Sequence, residues 1–373
     1  MIIDLSNEQF KRLFDNPEFF LPIRWDGKDF SNTLNNLFES YINKFYSENY
    51  SKTLSNNHIN VDIEKLQQVC SLVLKSVIHY LDGFPADAFE TIDELMSLLI
   101  RTPLKIYNKS FNELLHNSST QIEDPLKLYR VVGVKDNVCY DRSRVFHTPY
   151  TLRSKVSTSR YSIAGYPSLY LGTSLELCGE EINLNKNKEF ALTSKFKIQR
   201  SINATDTQID VIELAIKPQD FLNHETINNA ARHRIVSQDV LNKVSTKEAY
   251  LLWYPVIAAC SFIRVDKKDP FAAEYIIPQL LMQWIRKEMK TPFLSKDRLI
   301  GIRYFSCASA KASEMGFNYV FPTSGKQSPH HPYCPILMKV FKISSPQYIH
   351  EYMNVYDCQR YLEQDNDLQF IEF

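Results

Sequence analysis

The chain has 373 residues, 44% hydrophobic and 13% aromatic, with 43 Lys and Arg balanced by 43 Asp and Glu. This length suits two domains or one large one, and either buries a core without disulfide staples. A zero net charge leaves no electrostatic footprint for nucleic acid or an anionic membrane, since that binding needs clustered Lys and Arg against many phosphates.

At the N-terminus, Asp4 and Glu8 stand where a secretory signal needs a basic and then an apolar segment, so no export is expected and the localisation reads as cytoplasmic. From Ile63 the apolar positions Leu66, Val69, Cys70, Val73, Leu74, Val77, Ile78 and Leu81 follow helical spacing. Asp82-Gly83-Phe84-Pro85 stops that helix, and a second one carries Phe89, Ile92, Leu95, Met96 and Leu99 on one face. The two make an αα-hairpin whose stripes read as core packing. The polar stretch His116–Gln121 is the best linker, which places a helical N-terminal domain at 1–120 and a second domain at 121–373.

Past the linker the texture changes to short runs rich in β-branched and aromatic residues. Strands are expected at Leu128–Val132, Ser168–Leu171, Phe190–Ile198, Ile209–Ile216, Leu299–Phe305 and Leu337–Ile343. The uncharged run Ala249–Ile263 falls short of the ~18–20 residues that span a bilayer and contains Pro255, so it reads as a buried core helix or helix pair. A further helix is expected over Ala273–Met289. The fold class is α+β.

The densest candidate for chemistry runs from Arg160 to Glu181. A Gly165-Tyr166-Pro167 turn feeds a strand, and the strand feeds a helix for which Thr173 and Glu176 match a capping box, making Thr173 the expected N-cap. On a helical wheel Leu175, Cys178 and Ile182 form the buried face, Glu176 and Glu180 fall on the solvated side, and Glu181 lies half-buried at the border. A carboxylate there can accept a hydrogen bond from a sugar hydroxyl and stabilise positive charge on a ribosyl carbon. Paired Glu residues on a helix are otherwise ordinary solvated surface. Arg130, among apolar neighbours in Leu128–Val132, requires an anionic partner, either a phosphate or an internal carboxylate. Ser306 follows directly on a strand and either meets a ligand or caps the next turn.

Together these pieces resemble the RES family, named for an Arg, a Glu and a Ser at the active site. The matching residues are Leu128-Tyr129-Arg130, Arg160-Tyr161, Leu169-Tyr170-Leu171 leading to Glu181, and Ile302-Arg303-Tyr304-Phe305-Ser306, covering about Pro125 to Pro322. The resemblance implies an ADP-ribosyltransferase-like domain with a mixed or antiparallel sheet that consumes NAD as a substrate, with no resident cofactor. It also implies a toxin or anti-phage defence effector restrained or activated by a partner such as an antitoxin. On that basis Glu181, Arg130, Ser306 and Tyr170 would be catalytic, and Arg160, Tyr161 and Tyr129 would bind substrate. Arg130 and Arg160 would hold the pyrophosphate by bidentate geometry. Tyr170 would stack on the nicotinamide or ribose, and Ser306 would contact nicotinamide or phosphate. The helical N-terminal region and the insertion between about Ile198 and Arg298 depart from the compact members. They leave the acceptor of the ADP-ribosyl group open among water, phosphate and protein, and leave the oligomeric state open too. The alternative is a catalytically inactive nucleotide- or protein-binding module on the same fold.

Other constellations are weaker. The seven cysteines are odd in number and form no CxxC pair, as expected of reduced thiols. His330-His331-Pro332-Tyr333-Cys334 offers metal donors, but no second cluster completes a tetrahedral site, and no metal is expected. His147 reads as a structural loop residue, and Cys307 lacks a His partner for a thiol nucleophile. No GxGxxG or GxxxxGK[ST] sequence occurs, so dinucleotide-fold and P-loop assignments lack their fingerprint.

Overall fold

A computed structural model describes residues 1–47, 58–100, 127–135, 138–184, 190–198, 208–222, 241–266, 268–290, 297–308, 311–325, 332–349, 355–364 and 367–370. In chain order its elements are β1 (Ile2–Leu5), α1 (Asn7–Phe14), α2 (Phe30–Ser47), β2 (Ile59–Asp62), α3 (Ile63–Leu81), α4 (Pro85–Ile100), β3 (Leu128–Val134), β4 (Ser168–Gly172) and α5 (Leu175–Glu181). Then follow β5 (Phe190–Ile198), β6 (Gln208–Leu214), α6 (Val244–Ala259), α7 (Ile276–Glu288), β7 (Asp297–Phe305) and β8 (Phe317–Pro322). The chain continues through α8 (Pro335–Val340), β9 (Phe341–Ser344), β10 (Gln347–Ile349), α9 (Val355–Gln364) and β11 (Leu368–Gln369). The fold is α+β with a mixed sheet.

Two compact units are formed, one of Met1–Ile106 with Ala215–Trp284 and the other of Tyr107–Leu214 with Ile285–Phe373. A cut near residue 120 follows the chain, whereas the units interleave, and the expected linker His116–Gln121 lies outside the described residues. The reason is α6. Thirteen of its sixteen residues, Thr246, Lys247 and Ala249 through Ala259, are buried, so it must be wrapped on every side, and α2, α3 and β2 help to provide that shell. The segment Ala215–Trp284 therefore supplies the centre of the first unit.

In that unit β1 and β2 pair antiparallel, with Ile2 opposite Asp62 and Leu5 opposite Ile59. Ser6 and Gln9 close a capping box at the start of α1, and Asp62 caps α3. Gly83, at φ +90°, makes the turn that folds α4 back on α3. Pro255 inside α6 cannot donate to the carbonyl of Leu251, four residues earlier. The hydroxyl of Tyr41, from α2, donates to that carbonyl at 3.1 Å and fills the gap. Tyr41 also packs on Tyr254, with ring centroids 4.6 Å apart, and on Phe14, Phe19 and Phe45, so one side chain closes the aromatic core and repairs the helix ladder.

The second unit is built on one sheet in the order β11-β9-β5-β3-β4-β8-β7-β6, with β10 added along β5. All pairs are antiparallel except β6 with β7. Five of the six expected strands form, some with shifted ends; the sixth, Leu337–Ile343, is mostly helix. Pro335 at the first helical position and Cys334 as N-cap start α8, and the extended chain begins only at Phe341. β8 is an addition to the expected set. Between β6 and β7, Glu213 and Arg303 stand in register and form an ion pair at 2.5 Å with both side chains 1% exposed. The Arg303 guanidinium lies over the Phe317 ring at 4.6 Å. β3 pairs with β5 over seven residues, but its registered pairing with β4 is confined to Tyr129 opposite Gly172.

Two stability outcomes follow. Tyr41→Phe leaves the buried Leu251 carbonyl unpaired and should cost ~1–3 kcal/mol in denaturant unfolding. Most of that cost should vanish in a Pro255→Ala background, where an N–H is restored; an equal cost in both backgrounds would show that the hydroxyl does not serve the proline gap. Glu213→Ala should cost ~3–5 kcal/mol by stranding Arg303 in the sheet, a far larger loss than Arg12→Ala, which breaks an exposed pair with Glu8.

Candidate functional site

The short helix α5 is fixed at both ends. At its start the N-cap is Ser174 rather than Thr173: the Ser174 hydroxyl accepts from the Leu177 N–H at 3.2 Å and donates to the Met315 carbonyl at 2.9 Å. Thr173 Oγ1 instead accepts from the Phe317 N–H at 2.9 Å, tying the β4 exit to β8. At its end Asn183 adopts φ +52°, and the Asn183 and Leu184 N–H groups bond the Glu180 and Gly179 carbonyls at 3.1 and 3.0 Å. This Schellman arrangement stops the helix on Glu181.

The expected helix phase is corrected here. Glu181 is exposed, and Glu176 and Glu180 are the half-buried pair. The wheel assumes one apolar face, whereas α5 packs on two: Leu175 and Cys178 against Tyr129, Val131 and Leu362, and Leu177 against Ala312 and Met315. Although exposed, the Glu181 carboxylate is anchored. Its Oε1 accepts from Ser306 Oγ at 2.6 Å and from Asn318 Nδ2 at 2.7 Å, both donors being almost fully buried. Both bonds fall on one oxygen, which leaves Oε2 for a ligand hydroxyl. Ser306 Oγ also accepts from the Ala308 N–H at 3.1 Å, so Ser306 caps its turn and orients Glu181 at once. Gly172 allows this approach, since a Cβ there would sit 2.7 Å from Cys178 Sγ. Burial, with the nearby Glu181 charge adding, pushes the Cys178 thiol up to about 12 and keeps it protonated.

The sequence reading misses Asn318 because it misses β8, although Phe317-Asn318-Tyr319-Val320-Phe321 carries the β-branched and aromatic signal of a strand. Asn318 stands opposite Gly172 on one side and Tyr304 on the other, a register position that brings it to Glu181.

Arg130 is held on β3 where the sheet parts from β4. Its Nη1 donates to the Tyr170 carbonyl at 3.4 Å, its buried Nε has no partner, and no carboxylate among the described residues pairs with it. Burial lowers its pKa to about 10, still well above neutrality, so a guanidinium sits there uncompensated. Tyr170 is pinned by its hydroxyl to Ser159 Oγ at 2.6 Å and Ser162 Oγ at 2.8 Å. Those serines flank a two-residue turn, closed by their mutual backbone bonds at 2.9 and 3.1 Å, with Arg160 and Tyr161 at its tip. Tyr161 is buried against Tyr304, with centroids 4.5 Å apart. Burial raises the Tyr304 pKa, Glu181, Tyr170 and Tyr161 add to the rise, and Arg160 opposes it, so these groups share one neighbourhood. Tyr129 does not join them. It is fully buried with Cys358 and Leu362, its hydroxyl 3.1 Å from Glu363, because alternation along β3 sends its side chain to the face opposite that of Arg130.

A second guanidinium escapes the sequence reading. Among the described residues Arg286, on α7, donates to neutral acceptors, the Thr323 and Pro167 carbonyls and Ser168 Oγ, at 3.3–3.4 Å, and lies 5.4 Å over the Tyr166 ring. Burial lowers its pKa to about 10, and the nearby phenols, Tyr170 first, partly oppose the fall. Arg153 lies over the Tyr150 and Tyr166 rings at 4.9 and 5.9 Å. Such an array of guanidinium and aromatic groups suits phosphates and a stacked ring.

His147 is fully buried with both ring nitrogens engaged: Nδ1 lies 2.8 Å from the Thr148 carbonyl and Nε2 accepts from the Cys334 N–H at 2.9 Å. The Cys334 thiol donates to the Ser324 carbonyl at 3.0 Å. Among the described residues no group of three or more His, Cys, Asp or Glu is placed to hold a metal; His330 and His331 lie outside them. No helix among the described residues is long and apolar enough to cross a membrane.

Comparison with known proteins finds a relative in Bacillus subtilis (strain 168) named "Putative toxin YopC", 27% identical over 334 residues, which cover 87% of this chain and 67% of that protein. No family model matches the chain. No solved structure matches it.

Burial pushes the His147 pKa down to about 4, from 6.5 in an open chain. The unfolded chain therefore binds the extra proton between these values, and stability should fall by up to ~3 kcal/mol as pH drops from about 6.5 to about 4. Denaturant unfolding across this range should show the slope, and His147→Gln should flatten it; an unchanged slope in the variant would place the titration elsewhere.

Proposed function

We propose that the protein cleaves the bond between nicotinamide and ribose in NAD, as RES-type enzymes do, and that it acts as a toxin or defence effector. The observation that carries this reading is a set drawn from four separate stretches of sequence, an uncompensated Arg130, a pinned Tyr170 and a Glu181 carboxylate oriented by Ser306 and Asn318, with the charges of Arg130 and Glu181 both acting on Cys178. The similarity to a protein named as a toxin supports the biological half of it.

NAD suits this array. When the bond breaks, its electron pair moves to the pyridinium nitrogen and neutral nicotinamide leaves, so no strong acid or nucleophile is needed. The ribosyl carbon becomes positive, and the Glu181 carboxylate would stabilise it, its Oε2 accepting a ribose hydroxyl. Water, phosphate or a protein group then adds to that carbon and gives up its proton. Arg130 and Arg160 would hold the pyrophosphate, with Arg286 as a further cation. The Tyr170 ring would pack on nicotinamide or ribose, its hydroxyl held by Ser159 and Ser162. Ser306, already donating to Glu181, serves as a positioning residue rather than a direct contact to the nicotinamide. A partner protein, an antitoxin or an activator, would control the activity in the cytoplasm.

Incubation of the purified protein with NAD, with nicotinamide release as the readout, tests the proposal. Glu181→Gln should lower turnover by ~10²–10³ with little loss of folded protein, and Glu180→Gln should be near wild type. Equal losses in the two variants would remove Glu181 from the chemistry. Binding of NAD with no release and no labelled acceptor would identify a binding module instead of an enzyme.

A further inference from the structure

The first unit contains a cavity of about 510 Å³ that plays no part in the reading above, lined by the loop from Trp25 to Phe30, the end of α3 and the chain leading into α7. Among the described residues five carboxylates line it, those of Asp26, Asp29, Asp266, Asp269 and Glu274, against one ammonium, that of Lys28. Lys28 lies 3.8 Å from Asp26, and Asp29 is occupied by Ser31 and the Asn32 N–H. Arg264, outside the lining, donates to the main-chain oxygens of Asp266 and Asp269 and leaves their carboxylates uncommitted to it.

Glu274 differs from the others. It is 3% exposed, yet it lines the cavity and neither accepts a hydrogen bond from nor pairs with any described residue. A buried carboxylate with no partner among the described residues is stabilised by an incoming cation. The surroundings say which cation. No group of three or more carboxylate, imidazole or thiolate ligands is placed for a metal among the described residues. The rings of Trp25, Phe30 and Phe271 and the exposed side chains of Leu81 and Val265 instead provide an apolar wall and rim. Aromatic faces and apolar edges above a buried carboxylate fit an alkyl stem that ends in a positive nitrogen.

We propose that this cavity binds an organic cation, an ammonium or guanidinium group on an aliphatic stem, with its charge on Glu274 and its stem along Phe271 and Val265. The cation is supplied either by a free polyamine or by a Lys or Arg side chain of a partner protein. Calorimetry on the full chain with spermidine, and separately with a blocked lysine-containing peptide, distinguishes the two sources. One of the probes should bind with one-to-one stoichiometry. Glu274→Gln should weaken that binding by ~10-fold or more, the scale of a lost hydrogen bond to a charged group. Phe271→Ala and Asp269→Asn, both at exposed positions, should each weaken it by ~2–5-fold. If Glu274→Gln does not fold, the Phe271→Ala and Asp269→Asn pair decides the matter. Absence of binding by both probes, or an affinity unchanged in these variants, would overturn the proposal.

Discussion

Two hydrogen bonds, from Ser306 and Asn318, converge on one oxygen of Glu181, and the local structure around the site is arranged to make them meet. The donors stand at the end of β7 and the start of β8, so the register of those strands sets their separation. The acceptor stands on the last residue of α5, whose phase is fixed by Ser174 at one end and Asn183 at the other. Glycine at 172 lets α5 approach β4. Gly316, at φ +140°, makes the turn into β8, and a Cβ there would collide with Thr173 Oγ1. The Glu213–Arg303 pair, deep in the sheet, locks β7 to β6 shortly before the strand ends at Phe305 and gives way to Ser306. A carboxylate that is exposed yet held by two buried donors is preorganised: it can turn its other oxygen to a ligand without reorganising.

Charge divides the second unit in a complementary way. Arg303, a buried cation of the framework, has its own carboxylate, whereas Arg130 and Arg286 rest on carbonyls, hydroxyls and aromatic faces. A guanidinium so placed is desolvated without a counter-charge, a cost that an incoming phosphate would offset. That contrast is the physical reason to read the surroundings of Arg130 and Arg286 as a place for an anion.

Much of this was legible in the sequence, and the failures have physical causes. The α3 stripe from Ile63 to Leu81 is readable because a long surface helix needs a single apolar face, and the structure gives its bounds unchanged. The wheel fails on α5 because a seven-residue helix packed on two sides has no single phase to read. Tyr129 and Arg130 are neighbours in sequence, but a strand sends adjacent side chains to opposite faces. Arg286 is out of reach because it acquires its role from the Pro167–Ser168 segment over a hundred residues away, whereas the strand of Asn318 is legible and only its contact with Glu181 is long-range. The interleaving of 215–284 with the N-terminal region is likewise a long-range fact, though the all-round hydrophobicity of Ala249–Ala259 signals that something must wrap it.

The central claim, that an oriented carboxylate and an uncompensated guanidinium form one NAD site, is tested most directly by binding without turnover. NAD titrated calorimetrically into the Glu181→Gln protein should bind at one site, and adding Arg130→Met should weaken that binding by about tenfold or more, the scale of losing a charge-assisted hydrogen bond. No NAD binding to the folded Glu181→Gln protein, or binding indifferent to Arg130, would contradict the account.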